Sequence, residues 1–523
     1  MFTATGIRET DLKPVGRRLV RSGGKQILLI AREDRIFAIA NRCPHEGYPL
    51  SEGTEGPGSV LTCNWHNWKF DLETGEALVG RDPVRVYPVS VKGGEIHLDL
   101  TDLPADAQRA RALKGLEAAL RDNDMARMAR EVARLERAGF HARDALVHAL
   151  NYLNPRFENG ATHAHGAAAD WLALSERATS RTRRFAALLE PLGHLAWDCQ
   201  GAADFSYPQE PDSWNEPAFL DAMEGEREPE AIALIRGALA DGMTLSSLRP
   251  VFAKAALAHY ADFGHSAIYT VNLTRLDDTL STPAREALAL SLTRSLLRAT
   301  REERLPEFRG YTKALAEWDA ARMDAVRAEN LVDLSIDQIL ARLLASSGQP
   351  VRELFDALLG AAGWNLLHFD LAVQEATDNA IADNVGWLDF THALTFASAV
   401  REICEDDPAQ WPRALLQLAL FVGRNRKHVR PCNDADRWGV PDRTEFLARE
   451  TEALYDHGVP EPIVACHRLK VLSALGRELD RAPDAPWADV MCAAVNRYLS
   501  NPMKRHNGLR NASQALDFVA REG

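Results

Sequence analysis

Short runs of apolar residues separated by turn residues mark the first hundred positions of the chain. Residues 25–31 (KQILLIA) and 35–40 (RIFAIA) are rich in β-forming side chains and lie on either side of two acidic residues, which predicts a hairpin. Residues 85–91 and 95–100 likewise flank Gly93-Gly94, a dipeptide typical of a tight hairpin turn. The pattern therefore predicts a small antiparallel β domain.

The pattern changes near residue 105, after which apolar residues recur at helical spacing. Segments of about 12 to 20 residues, rich in Ala, Leu and Arg and separated by Pro and Gly, predict roughly a dozen or more packed helices. No hairpin signal occurs in this part of the sequence. The clearest segments are 163–190, 229–241, 247–260, 284–302, 350–380, 387–404, 409–422, 444–457, 461–479 and 485–499.

Residues 101–104 (TDLP) form the expected junction, because proline restricts the residue before it and favours the first turn of a helix. A chain of 523 residues is long enough for more than one domain. We therefore expect a multidomain protein, with a small antiparallel β domain over residues 1–104 and a large all-α domain over residues 105–523.

Composition and charge exclude several classes of protein. The formal net charge of -13 argues against general binding of nucleic acid phosphates, which needs clustered Lys and Arg. No apolar run is long enough to predict a membrane span, and the first residues lack the apolar core of a signal peptide, so we expect a cytoplasmic protein. Seven cysteines are too few for a disulfide scaffold.

Two of the cysteines belong to a metal-binding pattern. Cys43 and His45 form Cys-x-His, and Cys63 and His66 form Cys-x-x-His further along the chain. Two thiolates and two neutral imidazoles are the ligands of a mixed-ligand [2Fe–2S] cluster, in which the imidazoles raise the reduction potential. Zinc also binds Cys and His, so the spacing alone leaves a zinc site as an alternative.

The sequence around these four residues resembles the two cluster loops of Rieske ferredoxins and of the Rieske domains of oxygenases. The resemblance covers about residues 4–100 and implies that Cys43, His45, Cys63 and His66 bind a [2Fe–2S] cluster. Further matches are Trp68, Phe70, Asp71, Thr74 and Gly75 in the second loop, and Pro83, where the family places a proline loop over the cluster.

Two features of the loops depart from other Rieske proteins. Asn64 and Asn67 stand where the family usually has Pro and Gly, which puts hydrogen bonding near the cluster in question. The additional cysteine pair of the high-potential respiratory branch is absent, since Glu46, Gly47 and Tyr48 and then Asn64 and Trp65 occupy those stretches. The chain therefore resembles the low-potential branch associated with oxygenases.

The helical part contains candidate ligands for a second metal site. Two segments share the pattern aromatic-x-Asp-Phe-x-His: one holds Asp262 and His265, the other Asp389 and His392. Asp and His three residues apart share one face of a helix, as in the Glu-x-x-His pairs of di-iron bundles. His163 and His165 form a His-x-His pair at a helix start, and His368 lies near the second segment. Each histidine has an alternative role as an ordinary core or surface residue, and each Asp as a helix cap.

Three of these motifs also weakly resemble the questin oxidase-like family. The motifs are His-Ala-His-Gly, Phe-Gly-His-Ser and the run THALTFASAVR, which contain His163, His265 and His392. The resemblance implies oxygenation of aromatic ketones of polyketide type. The helical part does not resemble the usual catalytic domain of Rieske oxygenases, because no His-x4-His pattern with a preceding acid is present.

Together these patterns favour an oxidoreductase, with an oxygenase or oxidase reaction as the leading hypothesis. Electrons would come from an NAD(P)H-dependent reductase or a ferredoxin, enter at the [2Fe–2S] cluster and reach a mononuclear or dinuclear non-haem iron site. O₂ and a small organic, aromatic-type molecule would be the substrates. The alternatives are an electron carrier, or a redox-sensing module, whose helices form a docking scaffold without a second metal.

Overall fold

The protein is described here by a computed structural model, which covers residues 2–503 and 507–522. The chain divides into two compact units that meet between Arg111 and Ala112. The first unit is built of β-strands and the second of α-helices, as the hydrophobic patterns predict. This division lies inside a helix, whereas the expected domain junction lies just before that helix, at residues 104 and 105.

The first unit contains three small antiparallel sheets. Their strand orders are β1-β10-β9, β2-β3-β4 and β5-β6-β7-β8. A short helix, α1 (Glu9–Leu12), follows the first strand. The strands are β1 (Phe2–Arg8), β2 (Arg17–Ser22), β3 (Lys25–Arg32), β4 (Arg35–Ala40), β5 (Thr54–Glu55), β6 (Val60–Thr62), β7 (Lys69–Asp71), β8 (Ala77–Val79), β9 (Val89–Lys92) and β10 (Glu95–Asp99).

Both predicted hairpins form. Strand β4 pairs over its whole length with residues 27–32 of β3, and Glu33 lies in the turn between them with a φ of +52°. Strands β9 and β10 pair across Gly93 and Gly94, whose φ values of +57° and +82° suit a turn that requires left-handed backbone. The strand before this turn is shorter than predicted and begins at Val89, directly after Pro88, because proline has no N–H to donate to a ladder.

The strands enclose two small cores that lie within the first unit. One core centres on Leu28, Ile39, Leu61 and Phe70 and also contains the two buried cysteines Cys43 and Cys63. The other contains apolar residues from β2, β3 and β10. Neighbouring residues of β3 alternate between the two cores, because successive side chains of a strand point to opposite faces.

The regular structure of the second unit is helical in the residues that the structure describes, and loops connect its helices. Its first helix, α2, crosses the division between the units. The helices are α2 (Ala105–Arg121), α3 (Met125–Arg137), α4 (Asp144–Leu153), α5 (His163–Arg177), α6 (Arg181–Asp198), α7 (Glu216–Glu224), α8 (Glu228–Ala240), α9 (Leu245–Ala258), α10 (His265–Leu280), α11 (Thr282–Arg298), α12 (Gly310–Ala316), α13 (Ile336–Ala345), α14 (Val351–Leu367), α15 (Leu371–Glu375), α16 (Trp387–Asp406), α17 (Trp411–Asn425), α18 (Arg443–Ala453), α19 (Pro462–Arg481), α20 (Ala488–Ser500) and α21 (Gly508–Val519).

Two of the long predicted segments are each divided into two helices. The segment 163–190 breaks before α6, where the Ser180 side chain accepts a hydrogen bond from the amide of Arg183 and caps the new helix. The segment 350–380 breaks after α14, where Asp370 caps α15 in the same way. Polar capping residues inside a long apolar pattern therefore mark helix ends that the apolar spacing alone does not reveal.

Four helices of the second unit, α5, α10, α16 and α19, pack against one another around a common interior. Helix α10 is buried along most of its length, and α16 and α19 are the two longest helices of the unit. Within the described part of the chain, no helix combines the length and the apolar character needed to cross a membrane. The interior of these four helices contains the second set of candidate ligands.

Candidate metal centres

The first set of candidate ligands lies on two loops of the β unit. Cys43 follows β4, Cys63 follows β6, and both cysteines are buried. Each cysteine begins the same tight turn, because its amide N–H donates to the carbonyl oxygen five residues later, which belongs to Tyr48 (2.9 Å) or Trp68 (2.7 Å). The two loops are thus built alike, and each presents one histidine beside its cysteine.

The turn in each loop closes at a residue with left-handed backbone. Gly47 has a φ of +77° and Asn67 a φ of +60°. The amide of each donates back to the carbonyl of the cysteine in its loop, at 2.8 and 3.0 Å. Asparagine is one of the few residues besides glycine that adopts this conformation at low cost. Asn67 can therefore take the place of the glycine that the resemblance predicts.

The two loops bring two imidazoles together with their ring planes nearly perpendicular, at 77°. The Nδ1 atoms of His45 and His66 lie 3.1 Å apart. Two nitrogens that bind the same ion at about 2.1 Å are roughly 3.0 to 3.4 Å apart when the angle at the ion is about 90 to 110°, so this pair suits a single metal ion.

Burial raises the pKa of the Cys43 thiol to about 11, and the nearby Cys63 thiol acts in the same direction. Two thiolates and two imidazoles are the donor set of a Rieske [2Fe–2S] cluster.

An aromatic ring supports one of these imidazoles. Trp68 stacks on His45 with ring centroids 4.7 Å apart and planes inclined by 12°. The backbone of Gly80 lies against the Trp68 ring, and a Cβ atom at Gly80 would come within 2.4 Å of it. Gly80 also has a φ of +118°, which favours glycine. The side of the site near His66 is open, because Trp65 beside it is 61% exposed.

Asn64 makes its hydrogen bonds within the protein. Its side-chain amide donates to the carbonyl oxygen of Glu52 (2.7 Å) and accepts from the hydroxyl of Thr54 (2.9 Å). These bonds tie the second loop to the segment that leads into β5. Pro83 is exposed and lies in the segment between β8 and β9.

The second set of candidate ligands consists of four histidines in the helical unit, which we call the four-histidine cluster. His163 is the first residue of α5, His265 the first residue of α10, and His392 and His467 lie in the second turns of α16 and α19. Ring centroids of neighbouring members are 4.5 Å apart for His265 and His392, 4.7 Å for His163 and His265, 4.8 Å for His163 and His467 and 4.9 Å for His392 and His467.

Three members of the four-histidine cluster are oriented by the same hydrogen bond. In each, Nδ1 donates its proton to a backbone carbonyl oxygen three or four residues earlier in the chain. This bond leaves Nε2 without a proton in the neutral ring and turns it toward the other histidines. The acceptors are the carbonyl of Asp262 for His265 (2.6 Å), that of Leu388 for His392 (2.5 Å) and that of Ile463 for His467 (2.7 Å).

The Nε2 atoms converge at distances that suit a bound cation. They are 3.0 Å apart in His163 and His265 and 3.3 Å apart in His392 and His467. One ligand atom from each of His163, His392 and His467 lies within 4.8 Å of the others. In His392 and His467 both Nε2 atoms lack a proton, so their lone pairs repel one another at this distance, and a cation between them would remove that repulsion. The separations again match two nitrogens at about 2.1 Å from one ion.

Burial keeps these histidines neutral. The pKa values of His163, His392 and His467 lie well below the usual range, first because burial disfavours the charged ring. A second cause is the positive charge of neighbouring groups, which are chiefly other histidines for His163 and His392 and Lys470 for His467. The pKa of His265 is also lowered, again chiefly by burial. Neutral imidazoles do not need to lose a proton before they bind a metal ion, so the cluster is ready to act as a ligand set near neutral pH.

The two predicted carboxylates are engaged differently from the histidines that follow them. Asp389 accepts a hydrogen bond from the amide of Gly386 (2.9 Å), which caps α16, and pairs with Arg424 (3.2 Å). The side chain of Asp262 is 51% exposed, precedes α10 and has a φ of +47°, so it does not lie on a helix with His265. The predicted shared helix face is therefore wrong for Asp262 and His265, whereas Asp389 and His392 do lie three residues apart in α16. Each segment contributes its histidine to the cluster, and neither Asp belongs to the group of ligand atoms that lie within 4.8 Å of one another.

Two other predicted ligands lie outside the cluster. The Nδ1 of His165 accepts a hydrogen bond from the amide of Thr162 (3.2 Å), and burial lowers the pKa of its ring to about 4. The Nδ1 of His368 accepts from the amide of Cys432 (3.0 Å), and its ring lies against Trp364. The structure thus unites His163, His265 and His392 and leaves His165 and His368 elsewhere.

His467 is the member of the cluster that the sequence patterns do not single out. It has no motif around it and lies inside an amphipathic helix. The available signal is a polar stripe at His467, Lys470 and Glu478, which share one face of α19 although all three are buried. Buried polar residues at helical spacing indicate a functional or paired interior more often than an ordinary core.

Comparisons with known proteins concern the first unit. Residues 6–88 match the family model of the Rieske [2Fe-2S] domain. The chain is 35% identical over 91 residues to the ferredoxin subunit of the 3-phenylpropionate/cinnamic acid dioxygenase of Escherichia coli, which covers 17% of this chain and 86% of that protein. It is 32% identical over 90 residues to the ferredoxin component of the alkene monooxygenase system of Xanthobacter autotrophicus, which covers 16% of this chain and 71% of that protein.

A similar solved structure is the ferredoxin of carbazole 1,9a-dioxygenase from Nocardioides aromaticivorans. It is 29% identical, the match covers 19% of this chain and 99% of that chain, and the TM-score is 0.18. The family model and the two relatives agree with the paired cysteine and histidine loops described above. Through its first unit, the chain belongs to the Rieske [2Fe-2S] family and is related there to the ferredoxins of dioxygenase systems.

Proposed function

We propose that the protein is an oxygenase or oxidase in which electrons enter at the Rieske unit and reach a non-haem iron ion in the four-histidine cluster. The observation that carries the proposal is the meeting of four neutral imidazoles in one interior, where ligand atoms of His163, His392 and His467 lie within 4.8 Å of one another. Three of the four rings, those of His265, His392 and His467, are buried and are oriented by backbone carbonyls. A carbonyl or carboxylate that orients a ligand histidine is typical of a functional metal site.

The donor set favours a transition metal. Imidazole nitrogen suits Fe, Zn, Cu and Ni, whereas Mg and Ca prefer oxygen ligands. A [2Fe–2S] cluster in the first unit transfers one electron at a time, and this supports a redox-active metal over zinc. One mononuclear ion, rather than two, agrees with a group of imidazole nitrogens that neither Asp262 nor Asp389 joins.

The source of electrons would be a partner protein. A cytoplasmic NAD(P)H-dependent reductase or a ferredoxin would reduce the Rieske unit at its exposed side, where His66 has 40% of its side chain accessible. The relatives are themselves components of oxygenase systems. In this protein, the acceptor would be part of the same chain.

The substrates would be O₂ and a small organic, aromatic-type molecule. This class rests on the resemblance of the helical unit to the questin oxidase-like family. The three motifs that carry the resemblance each supply one member of the four-histidine cluster: His163, His265 and His392. Motifs that are distant in sequence but adjacent at one site support a shared catalytic role.

Metal analysis of protein purified without air tests the proposal. The wild type should contain about three iron atoms for two acid-labile sulfides. The double variant His392→Ala/His467→Ala should fall to two iron atoms and two sulfides, because it removes two ligands of the helical site and none of the Rieske ligands. His368→Ala is the matched control, since it also removes a buried histidine of the helical unit and should keep all the iron.

Two other results would overturn the proposal. Two iron atoms and two sulfides in the wild type would leave the Rieske cluster alone and favour an electron carrier or a redox-sensing module. Zinc in place of the third iron, retained after addition of ferrous ion, would make the four-histidine cluster a structural site.

A further inference from the structure

The interior of the four helices continues beyond the four-histidine cluster into a small polar cavity. The cavity begins one helical turn after the histidines, at Ile268, Thr395 and Lys470, and ends three turns after them, at Arg275 and Arg477. At 1.5 Å per residue, this corresponds to about 4 to 15 Å along the helices. All four helices therefore run in the same direction from the histidines past the cavity.

Lys470 lies at the inner end of this cavity. Its side chain is 1% exposed, and its Nζ has no hydrogen-bond partner among residues 2–503 and 507–522. A buried ammonium group without partners is costly, so this position calls for a compensating group or a function. Burial lowers the pKa of Lys470, which brings its loss of a proton closer to neutral pH.

Other polar atoms around the cavity also lack partners within the described part of the chain. They are Oδ2 of Asp170, Nε of Arg477 and Oγ of Ser398. The cavity volume is about 10 Å³, which is room for one water molecule, and such a water needs two to four polar partners. Donors and acceptors that face one water-sized space can form a continuous hydrogen-bonded path.

The outer end of the cavity reaches the surface. Arg477 donates to Asp170 at 2.9 Å and has 29% of its side chain exposed. Arg275 is 27% exposed and pairs with Glu402. The charged groups that line the cavity with Lys470 are thus Asp170 from α5, Arg275 from α10 and Arg477 from its own helix, while α16 contributes the hydroxyls of Thr395 and Ser398. Lys470 also interacts electrostatically with the four histidines of the cluster and with Cys466 of its own helix. Asp170 is the one carboxylate among the residues that line the cavity.

We propose that Lys470, the water-sized cavity and Asp170 carry protons from the surface to the four-histidine cluster. The inference rests on the proposed function, because reduction of O₂ consumes protons as well as electrons. Hydroxylation follows RH + O₂ + 2 e⁻ + 2 H⁺ → ROH + H₂O: the O–O and C–H bonds break, and C–O and O–H bonds form. The Rieske unit supplies the electrons from its protein donor one at a time, and the path supplies the two protons.

The test uses the full-length protein and O₂ itself, without an organic substrate. Protein reduced anaerobically holds two electrons, one in the Rieske unit and one at the helical site, and these suffice for O₂ + 2 e⁻ + 2 H⁺ → H₂O₂. After mixing with O₂, the rate of cluster oxidation is followed by visible absorbance, and proton uptake by an indicator dye. Both are recorded across pH and in H₂O and D₂O.

Lys470→Met should slow oxidation and proton uptake by about 10²-fold, because loss of a positioned proton donor typically has that effect. The iron content of Lys470→Met should be unchanged. Its oxidation rate should fall as pH rises, and its solvent isotope effect should exceed that of the wild type, because its protons would come from bulk water. Lys313→Met is the matched control, since Lys313 has 79% of its side chain exposed. Asp170→Asn should slow oxidation and proton uptake in the same way. It serves as the test variant if Lys470→Met loses iron.

The outcomes separate the inference from the function on which it rests. If His392→Ala oxidises as fast as the wild type, O₂ is not reduced at the four-histidine cluster, and both fail. If His392→Ala is slow but Lys470→Met and Asp170→Asn keep the wild-type rate, pH profile and isotope effect, the proton path is wrong and the proposed function stands.

Discussion

Three members of the four-histidine cluster donate from Nδ1 to a backbone carbonyl, so the direction of each Nε2 atom depends on main-chain geometry. The acceptor of His265 is the carbonyl of Asp262, in a stretch where Asp262, Phe263 and Gly264 all have left-handed φ values of +47°, +49° and +82°. A phenylalanine in this conformation is uncommon and costs about 1 to 3 kcal/mol. The surrounding packing must offset this cost. The left-handed stretch places the carbonyl oxygen that orients His265.

Gly80 provides a prediction for a single residue of the Rieske unit. Gly80→Ala should destabilise the first unit by about 2 to 4 kcal/mol, because the new Cβ would meet the Trp68 ring that supports His45. The loss of cluster absorbance on heating measures this effect. Gly58→Ala is the matched control: Gly58 also has positive φ, at +66°, but its Cβ would have open space. Equal losses in the two variants would show that contact with Trp68 is unimportant.

At the scale of helices, a buried ion pair joins two of the helices that bear the histidines. Arg401 of α16 bonds to Glu478 of α19, and both side chains are almost completely buried. Arg481 also bonds to Glu478 at 3.2 Å, and Glu405 to Arg401 at 3.2 Å. Such a pair contributes little net stability compared with apolar residues, but it fixes the register between the two helices.

Removal of one partner of this pair should be costly. Glu478→Gln should lower the free energy of unfolding of the helical unit by about 3 to 5 kcal/mol, since it leaves the buried Arg401 with only the partly exposed Glu405 as counter-charge. The double variant Arg401→Met/Glu478→Leu should recover a large part of this loss. Chemical denaturation measures both. Glu317→Gln, in an exposed pair with Lys313, should change stability by less than about 1 kcal/mol. A double variant less stable than Glu478→Gln would contradict the argument.

At the scale of the whole molecule, the two units have separate hydrophobic cores. The two cores of the first unit and the large core of the second share no residue. Separate cores allow separate folding. A protein ending at residue 104 should therefore fold and bind two iron atoms and two sulfides, and residues 112–523 should bind the additional iron without sulfide. Metal analysis and electron paramagnetic resonance of the two fragments check this, and a fragment 1–104 that aggregates without a cluster would contradict it.

The sequence predicts the Rieske site better than the helical one because the ligands differ in how they are brought together. Cys43, His45, Cys63 and His66 lie on two neighbouring loops, so spacing along the chain reports their geometry. The members of the four-histidine cluster come from helices far apart in the chain and meet only through tertiary packing. The spacing of Asp262 and Asp389 from the next histidine suggested a shared face, but a capping bond and a left-handed turn changed the direction of both carboxylates.

The common direction of the four helices also affects how readily an ion at the cluster would accept an electron. Helices α5 and α10 begin at His163 and His265, so the positive ends of two helix dipoles lie at the site. Four imidazoles carry no charge and leave the full charge of the ion in place. Both effects would favour the more reduced state of such an ion. In the proposed function, the orientation of these two helices would therefore help to draw electrons toward the four-histidine cluster.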